Sequence, residues 1–321
     1  MRQSAHEEGV REERIKELER RWRAVAELLP GCKPYENRRP CRIKTAEDGL
    51  SFVEVLEGRF PGKLSREEWL AVFDEGLMLS RQGEVIRDAF LKVEAGSQYV
   101  RLLPGWVEPP VATDLRVIAE DEVLLIVDKP APLSMHEGGR FHKNTLKAFM
   151  AEAWPELEAN YTHRLDADTS GVLVCVKGRT YRNSLQKQFE EGAVKKRYLA
   201  RVQGWPEWEE KLVTHPVSAE GREWGRIVEA ETRLRVRSRE EDGTTVIEVE
   251  PLTGRTHQIR VHLWQEGYPI LNDRLYLPGG KRGVVEVADP GAQGLALRSW
   301  KISFEHPASS ERVEYECEAR I

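Results

Sequence analysis

The stretch "HRLDADTSGVLVCVK", residues 163–177, sets a charged turn directly against an unbroken apolar run. Val172 to Val176 is short, β-branched and uninterrupted, as a strand buried on both faces would be. Cys175 lies inside it and reads as a small core residue. Thr169, Ser170 and Gly171 read as turn formers, and His163 as a hydrogen-bonding residue of the same loop. That leaves Arg164 and Asp166 at the edge of buried structure. Either they form an incidental surface ion pair, or Asp166 is a carboxylate held there for chemistry.

Working outward, further strands are expected at "VLLIVDK" (123–129), "RYLARVQG" (197–204), "ETRLRVRS" (231–238) and "TTVIEVE" (244–250). The last two alternate, with Leu234, Val236, Ile247 and Val249 on one side of half-exposed strands. In "TYRNSLQKQFEEG" (180–192), Leu185 and Phe189 stand four apart and Gly192 closes a helix. Strands that mostly follow one another, with few helices between, define an α+β domain around a mixed or antiparallel sheet, placed at 113–321.

Three segments precede it. Residues 1–45 read as an N-terminal helix, with Leu18, Trp22, Val25, Leu28 and Leu29 at helical spacing, followed by a connector, "KPYENRRPCR". Residues 46–103 read as a small module. Within it "LSREEWLAVFDEG" (64–76) is expected to be a helix capped by Ser65, with Glu67 and Glu68 in its first turn and Gly76 as its stop. The three prolines of "PGWVEPPVA" (104–112) mark a linker.

Composition narrows the class. The chain has 321 residues, 40% hydrophobic and 32% charged, with four scattered cysteines and no Cys-x-x-Cys pair. That excludes a disulfide framework and the usual zinc modules. No apolar run approaches the roughly 20 residues of a membrane span, and the charged N-terminus lacks a signal-peptide core, so a cytoplasmic location is expected. The net charge of −5 is not that of a nucleic-acid coat. "KGRTYRNSLQKQ" and "AVKKRYLARV" are nonetheless locally basic and suit RNA steering. His257 and His262 are five apart and do not share a helix face, so no metal site is expected. "LPGGKRG" lacks the features of a phosphate loop and reads as a surface loop.

Four stretches combine reactive residues with Gly/Pro punctuation: "IVDKPAPLSMH" (126–136), the opening motif, "KKRYLARVQG" (195–204) and "LTGRTHQIRVHLWQEGYPI" (252–270). This set, in this order, resembles the RluA-type family of RNA pseudouridine synthases over residues 113–321. The closing "LRSWKISFEHP" is similar to the family's last strand. The resemblance implies a mixed/antiparallel-sheet catalytic domain, preceded here by a small α/β module similar to an S4-like RNA-binding domain. It also implies isomerisation of uridine in RNA without cofactor or metal. That reaction cuts the bond from ribose to base nitrogen, turns the base and rejoins it through carbon-5. It needs a carboxylate at the sugar, a pocket for the detached uracil and an acceptor for the carbon-5 proton. The carboxylate can attack the sugar or abstract its proton, and both routes stay open.

The resemblance further implies roles. Asp166 is the catalytic carboxylate, and Arg255 of "TGR" is its charge partner. Tyr198 is the base-stacking residue, and Arg164 helps fill the space that a flipped base leaves. Read from the residues alone, Arg260 either binds phosphate or is simply solvated, and Lys129–Pro130 reads as a strand-ending turn with Lys129 a candidate substrate contact. The expected partner is RNA, large-subunit ribosomal first and transfer RNA second, and a monomer is expected. Departures from the family pattern fall at Pro132, at Asn272 before Asp273, and at the helix carrying Glu67 and Glu68, where basic residues are usual. The closing strand also lacks the usual His. Two alternatives remain: an inactive RNA-binding or ribosome-assembly protein keeping the fold, and an enzyme acting on free uridine nucleotides.

Overall fold

The computed structural model describes residues 2–218, 226–283 and 293–321, with side chains from residue 9 onward. The chain forms two compact units, Gly31–Glu108 and the remainder, Met1–Pro30 with Pro109–Ile321.

The larger unit is built on a ten-stranded sheet. Its main path runs Arg116–Glu120, Leu124–Lys129, Ser170–Val176, Leu297–Glu305, Lys195–Gln203, Thr244–Pro251, Thr232–Arg239 and Glu210–Val213. Arg312–Glu316 and Asn160–Tyr161 pair off this path. Every pairing is antiparallel except that of Ser170–Val176 with Leu297–Glu305. The sheet is therefore mixed, as the strand pattern led one to expect. The two apolar runs lie side by side in it, Leu124 opposite Val176 through Lys129 opposite Gly171. Their side chains divide by the two-residue period of a strand. Leu125, Val127, Leu173 and Cys175 enter one core cluster, while Leu124, Ile126, Val172 and Val174 enter another. Burial on both faces is why these runs carry no polar alternation.

The N-terminal helix, Arg2–Ala26, belongs to this unit. Leu18, Trp22 and Ala26 are fully buried. The Trp22 ring meets Phe149 edge-on at 5.6 Å, and its indole N–H donates to the Thr113 carbonyl at 2.7 Å. Trp154 returns a bond to the Leu18 carbonyl at 3.0 Å. Leu28, expected on the apolar stripe, is exposed. The helix ends at Ala26, and Leu29 turns the chain with φ 43°.

The segment 31–45 is not a connector, which corrects the 1–45 grouping. Tyr35–Arg42 is a strand of the small unit, paired antiparallel with Gln98–Trp106, which also pairs with Met78–Ser80. Two helices, Phe52–Arg59 and Arg66–Asp74, complete a core around Phe52, Leu56, Trp69 and Phe73. The second starts where the sequence places it. The Ser65 hydroxyl accepts from the Glu68 N–H, and the Glu68 carboxylate accepts from the Ser65 N–H at 2.7 Å. This reciprocal cap accounts for one of the two acidic residues at that position. Gly76 follows with φ 72°.

Candidate active site

Ser170–Val176 enters the sheet through a position only glycine fills. Gly171 has φ 111°, and a Cβ there would lie 2.1 Å from the Ser299 carbonyl oxygen on the neighbouring strand. The turn before it is closed by the Thr169 N–H donating to the Asp166 carbonyl at 3.1 Å. Lys129 fixes the same turn from beneath. It is fully buried, and its ammonium donates to the carbonyls of Pro130, Leu133 and Ala167 at 3.0, 2.9 and 3.2 Å. Three protons thus meet three acceptors, one of them next to Asp166. Burial pulls the Lys129 pKa down to about 7, opposed by Asp168 and Asp166. Lys129 is therefore no substrate contact; its ammonium is spent on the backbone that aims Asp166.

Asp166 opens onto a cleft of about 940 Å³ lined by His163, Arg164, Lys196, Tyr198, Arg255, His257 and Arg260, among others. Its Oδ2 lies 3.6 Å from Arg260 Nη1 and 3.8 Å from His257 Nε2. Arg260 comes from the helix Gln258–Gln265, where Ile259, Val261 and Leu263 surround it with buried apolar neighbours. Its Nε and Nη2 donate to both Asp273 oxygens at 2.7 and 2.8 Å, and the guanidinium stands 5.2 Å over the Tyr276 ring. Asp273 accepts in addition from the Leu275 and Tyr276 N–H groups at 2.9 and 3.0 Å. Asn272 adopts φ 62°, a left-handed conformation that Asn tolerates better than most residues. It thus replaces the family's glycine while still delivering Asp273.

This corrects two expectations. Arg255 is not the charge partner of Asp166: its Nε donates to the Glu229 carbonyl at 3.2 Å, and the side chain is exposed at the cleft edge. Arg260 is neither solvated nor free for phosphate, because it is buried between two carboxylates. The local reason is the helix start. Arg255 precedes the first turn, where its N–H is held by Gln258 Oε1 at 3.0 Å, whereas Arg260 falls on the inward face.

The rest of the motif is scaffolding. Gln258 accepts from the Thr253 hydroxyl at 2.7 Å, and its amide donates to the Glu231 carbonyl and the Thr232 hydroxyl at 2.8 and 2.9 Å. His262 donates from Nε2 to the His215 carbonyl at 2.7 Å, so its Nδ1 accepts from Thr232 at 2.8 Å. Both ring nitrogens are committed. His257 bonds the Tyr276 hydroxyl through Nδ1 at 3.1 Å. Burial, with Arg260 nearby, pulls its pKa down against the pull of Asp166.

Tyr198 forms the floor, 9% exposed, on the central strand Lys195–Gln203 and in register with Ser299. Burial pushes its phenol up to about 12, with the Ser299 hydroxyl opposing. The ring is thus a neutral apolar surface beside a carboxylate. Arg164 is exposed at the mouth and has no hydrogen-bond or ion-pair partner among the described residues. Sequence reasoning missed His257 as a neighbour of Asp166, since its spacing was weighed only against metal ligation.

His163 accepts from the Val174 N–H at 3.0 Å and stacks on Phe189 at 4.9 Å. Burial lowers its pKa to about 3. Between that value and an unfolded value near 6.5, the unfolded chain binds the extra proton, so stability falls as pH drops from about 6.5 towards 3. His163→Gln keeps an acceptor and cannot titrate. Urea midpoints across pH 4–7 should fall more steeply for the wild type than for this variant, by up to about 1.4 kcal/mol per pH unit. Parallel curves for the two proteins would show that His163 does not carry this dependence.

The Asp166 carboxylate, the buried Arg260 and the buried Tyr198 thus converge on one open cleft of the mixed-sheet unit. Residues 123–265 match the model of the RNA pseudouridylate synthase family. The ribosomal large subunit pseudouridine synthase C of Vibrio cholerae is 36% identical over 244 residues, 70% of this chain and 76% of its own. An uncharacterised RNA pseudouridine synthase of Synechocystis is 31% identical over 260 residues, 78% of this chain and 87% of its own. The structure of human RNA pseudouridylate synthase domain containing 1 superposes with a TM-score of 0.51 at 24% identity, over 64% of this chain and 83% of that one, a likeness of fold. The chain belongs to the RluA-type family of RNA pseudouridine synthases and isomerises uridine in RNA.

Proposed function

We propose that the enzyme modifies a uridine of large-subunit ribosomal RNA in the cytoplasm, with Asp166 as its catalytic carboxylate. The observation that carries the chemical half is Asp166 facing the cleft 3.6 Å from Arg260, itself anchored by Asp273. A fixed positive charge at that distance orients the carboxylate towards the cleft. The ribosomal half is supported by the Vibrio cholerae relative, whose name specifies the large subunit. In this reading a flipped uridine stacks on Tyr198, Arg164 occupies the vacated space, and Arg255 meets the RNA at the cleft edge. The unit Gly31–Glu108 acts as an S4-like RNA-binding module, and the enzyme works without cofactor.

Extracting a nucleotide from a helix costs a few kcal/mol, and stacking it on an aromatic ring returns about 1–3 kcal/mol. Tyr198→Leu should therefore lower kcat/KM about tenfold to hundredfold, while Tyr198→Phe keeps the stacking share. Equal losses in the two variants would assign the effect to the hydroxyl instead. The substrate is tested by mapping carbodiimide-reactive pseudouridines by primer extension in cells with and without the gene. One stop lost from large-subunit RNA is expected; a stop lost only from transfer RNA would overturn the ribosomal assignment.

A further inference from the structure

Lys196 has no task in the reaction as described, yet it lies in the same cleft. On the strand Lys195–Gln203 it stands two residues before Tyr198, so both side chains leave the same face, about 6.6 Å apart along the strand. Its Nζ faces Gly254, where an added Cβ would lie 3.6 Å from it. Arg164 and Arg255 also line this cleft, but both are exposed. Lys196 is different. It is half-buried, its charged form is disfavoured by burial alone, and it has no hydrogen-bond or ion-pair partner among the described residues. Drawing a charge partly out of water without a partner carries a cost, which a bound anion would offset.

We propose that Lys196 binds an RNA phosphodiester flanking the target uridine, filling its missing contact only when substrate is in place. This rests on the activity already assigned to the cleft, and not on which RNA is the substrate. The position favours phosphate over base. Asp166 has Arg260 and His257 around it, and the uracil plane lies on Tyr198; a group one pleat farther along the strand meets the nucleotide's backbone. That backbone supplies the one full negative charge a nucleotide in RNA carries. Gly254 leaves room for Lys196 on the side of the loop, and Arg255 follows it in sequence, so the lining of the cleft carries a second cationic side chain there.

A structural lysine and a substrate-binding lysine differ in the sign of one measurement. Lys196→Met preserves the length of the stem and removes the charge. The proposal expects three results with the RNA on which wild-type enzyme releases tritium. KM rises about tenfold and carries most of the loss in kcat/KM. The slope of log Kd against log salt falls by about 1. The melting temperature of the RNA-free protein rises by about 2 °C or more, because an unpartnered charge has been removed. Lys196→Arg should recover most of the lost affinity. A fall in melting temperature with an unchanged salt slope would make Lys196 structural and overturn the proposal. A loss confined to kcat would overturn it too, and would place the ammonium on the detached uracil. Wild-type release from transfer RNA alone would refute only the ribosomal assignment, and the Lys196 comparison would then proceed on that RNA.

Discussion

Replacing Asp166 by Asn should leave an enzyme that folds and binds its RNA but does not turn it over, with kcat reduced by about 10⁴-fold or more. The amide has the shape of the carboxylate but can neither attack the sugar nor take its proton. The geometry predicts that little else is lost. Arg260 keeps both bonds to Asp273. The loop keeps the Lys129 clip at Ala167 and the Thr169-to-Asp166 backbone bond, neither of which uses the Asp166 side chain. Asp166 itself is 24% exposed, so Asn costs little desolvation. Filter binding should return an affinity within about threefold of wild type, and the melting temperature should move by no more than a few degrees, as for substitutions away from buried networks. A variant that binds poorly would make Asp166 part of RNA recognition.

Arg260→Ala should cost activity and stability together, since Arg260 holds the charge-partner place that the sequence suggested for Arg255. The Arg260 side chain is 8% exposed and the Asp273 side chain 1%. Removing the guanidinium strands Asp273 with two backbone N–H donors and no cation, and breaking a buried pair in this way typically costs about 3–5 kcal/mol. It also removes the positive charge from Asp166. Arg260→Lys should recover little, because an ammonium cannot reproduce the two parallel bonds to Asp273 while reaching Asp166. Arg255→Ala removes one bond from an exposed side chain to the Glu229 carbonyl. It should leave the urea midpoint nearly unchanged and act, if at all, through KM. Urea denaturation with turnover assays on the three variants checks this. The reverse pattern, with Arg255→Ala the destabilised and inactive one, would contradict the site as described.

Much of this site was legible in the sequence. The strand 170–176 and its turn followed from an apolar run abutting Thr169, Ser170 and Gly171. The family resemblance supplied Asp166, and Tyr198 at the centre of a strand. The capped helix at 66–74 followed from Ser65 and Glu68. One part of what was not legible depended on where a helix begins. Arg255 and Arg260 are five residues apart, and only the start at Gln258 decides which one turns inward. A stronger signal was present, since an arginine flanked by Ile259 and Val261 in a buried helix requires carboxylates, and Asp273 follows the motif three residues on. Lys129 was misread for a different reason. Its position at a strand-ending turn before Pro130 suggested a substrate contact, whereas burial and three carbonyl acceptors make it an internal clip. The grouping of residues 1–45 failed because strand Tyr35–Arg42 alternates exposed and buried residues through a proline and four charges, a pattern close to that of a linker.

The claim on which the rest depends is that the Asp166 cleft carries out the isomerisation, and tritium release tests it most directly. Total RNA labelled at carbon-5 of uridine, from cells lacking the gene, would be incubated with wild-type enzyme and with Asp166→Asn. Release by the wild type and none by the folded variant is the expected result. Release by both proteins would mean that another group does the chemistry, and the assignment of Asp166 would be withdrawn.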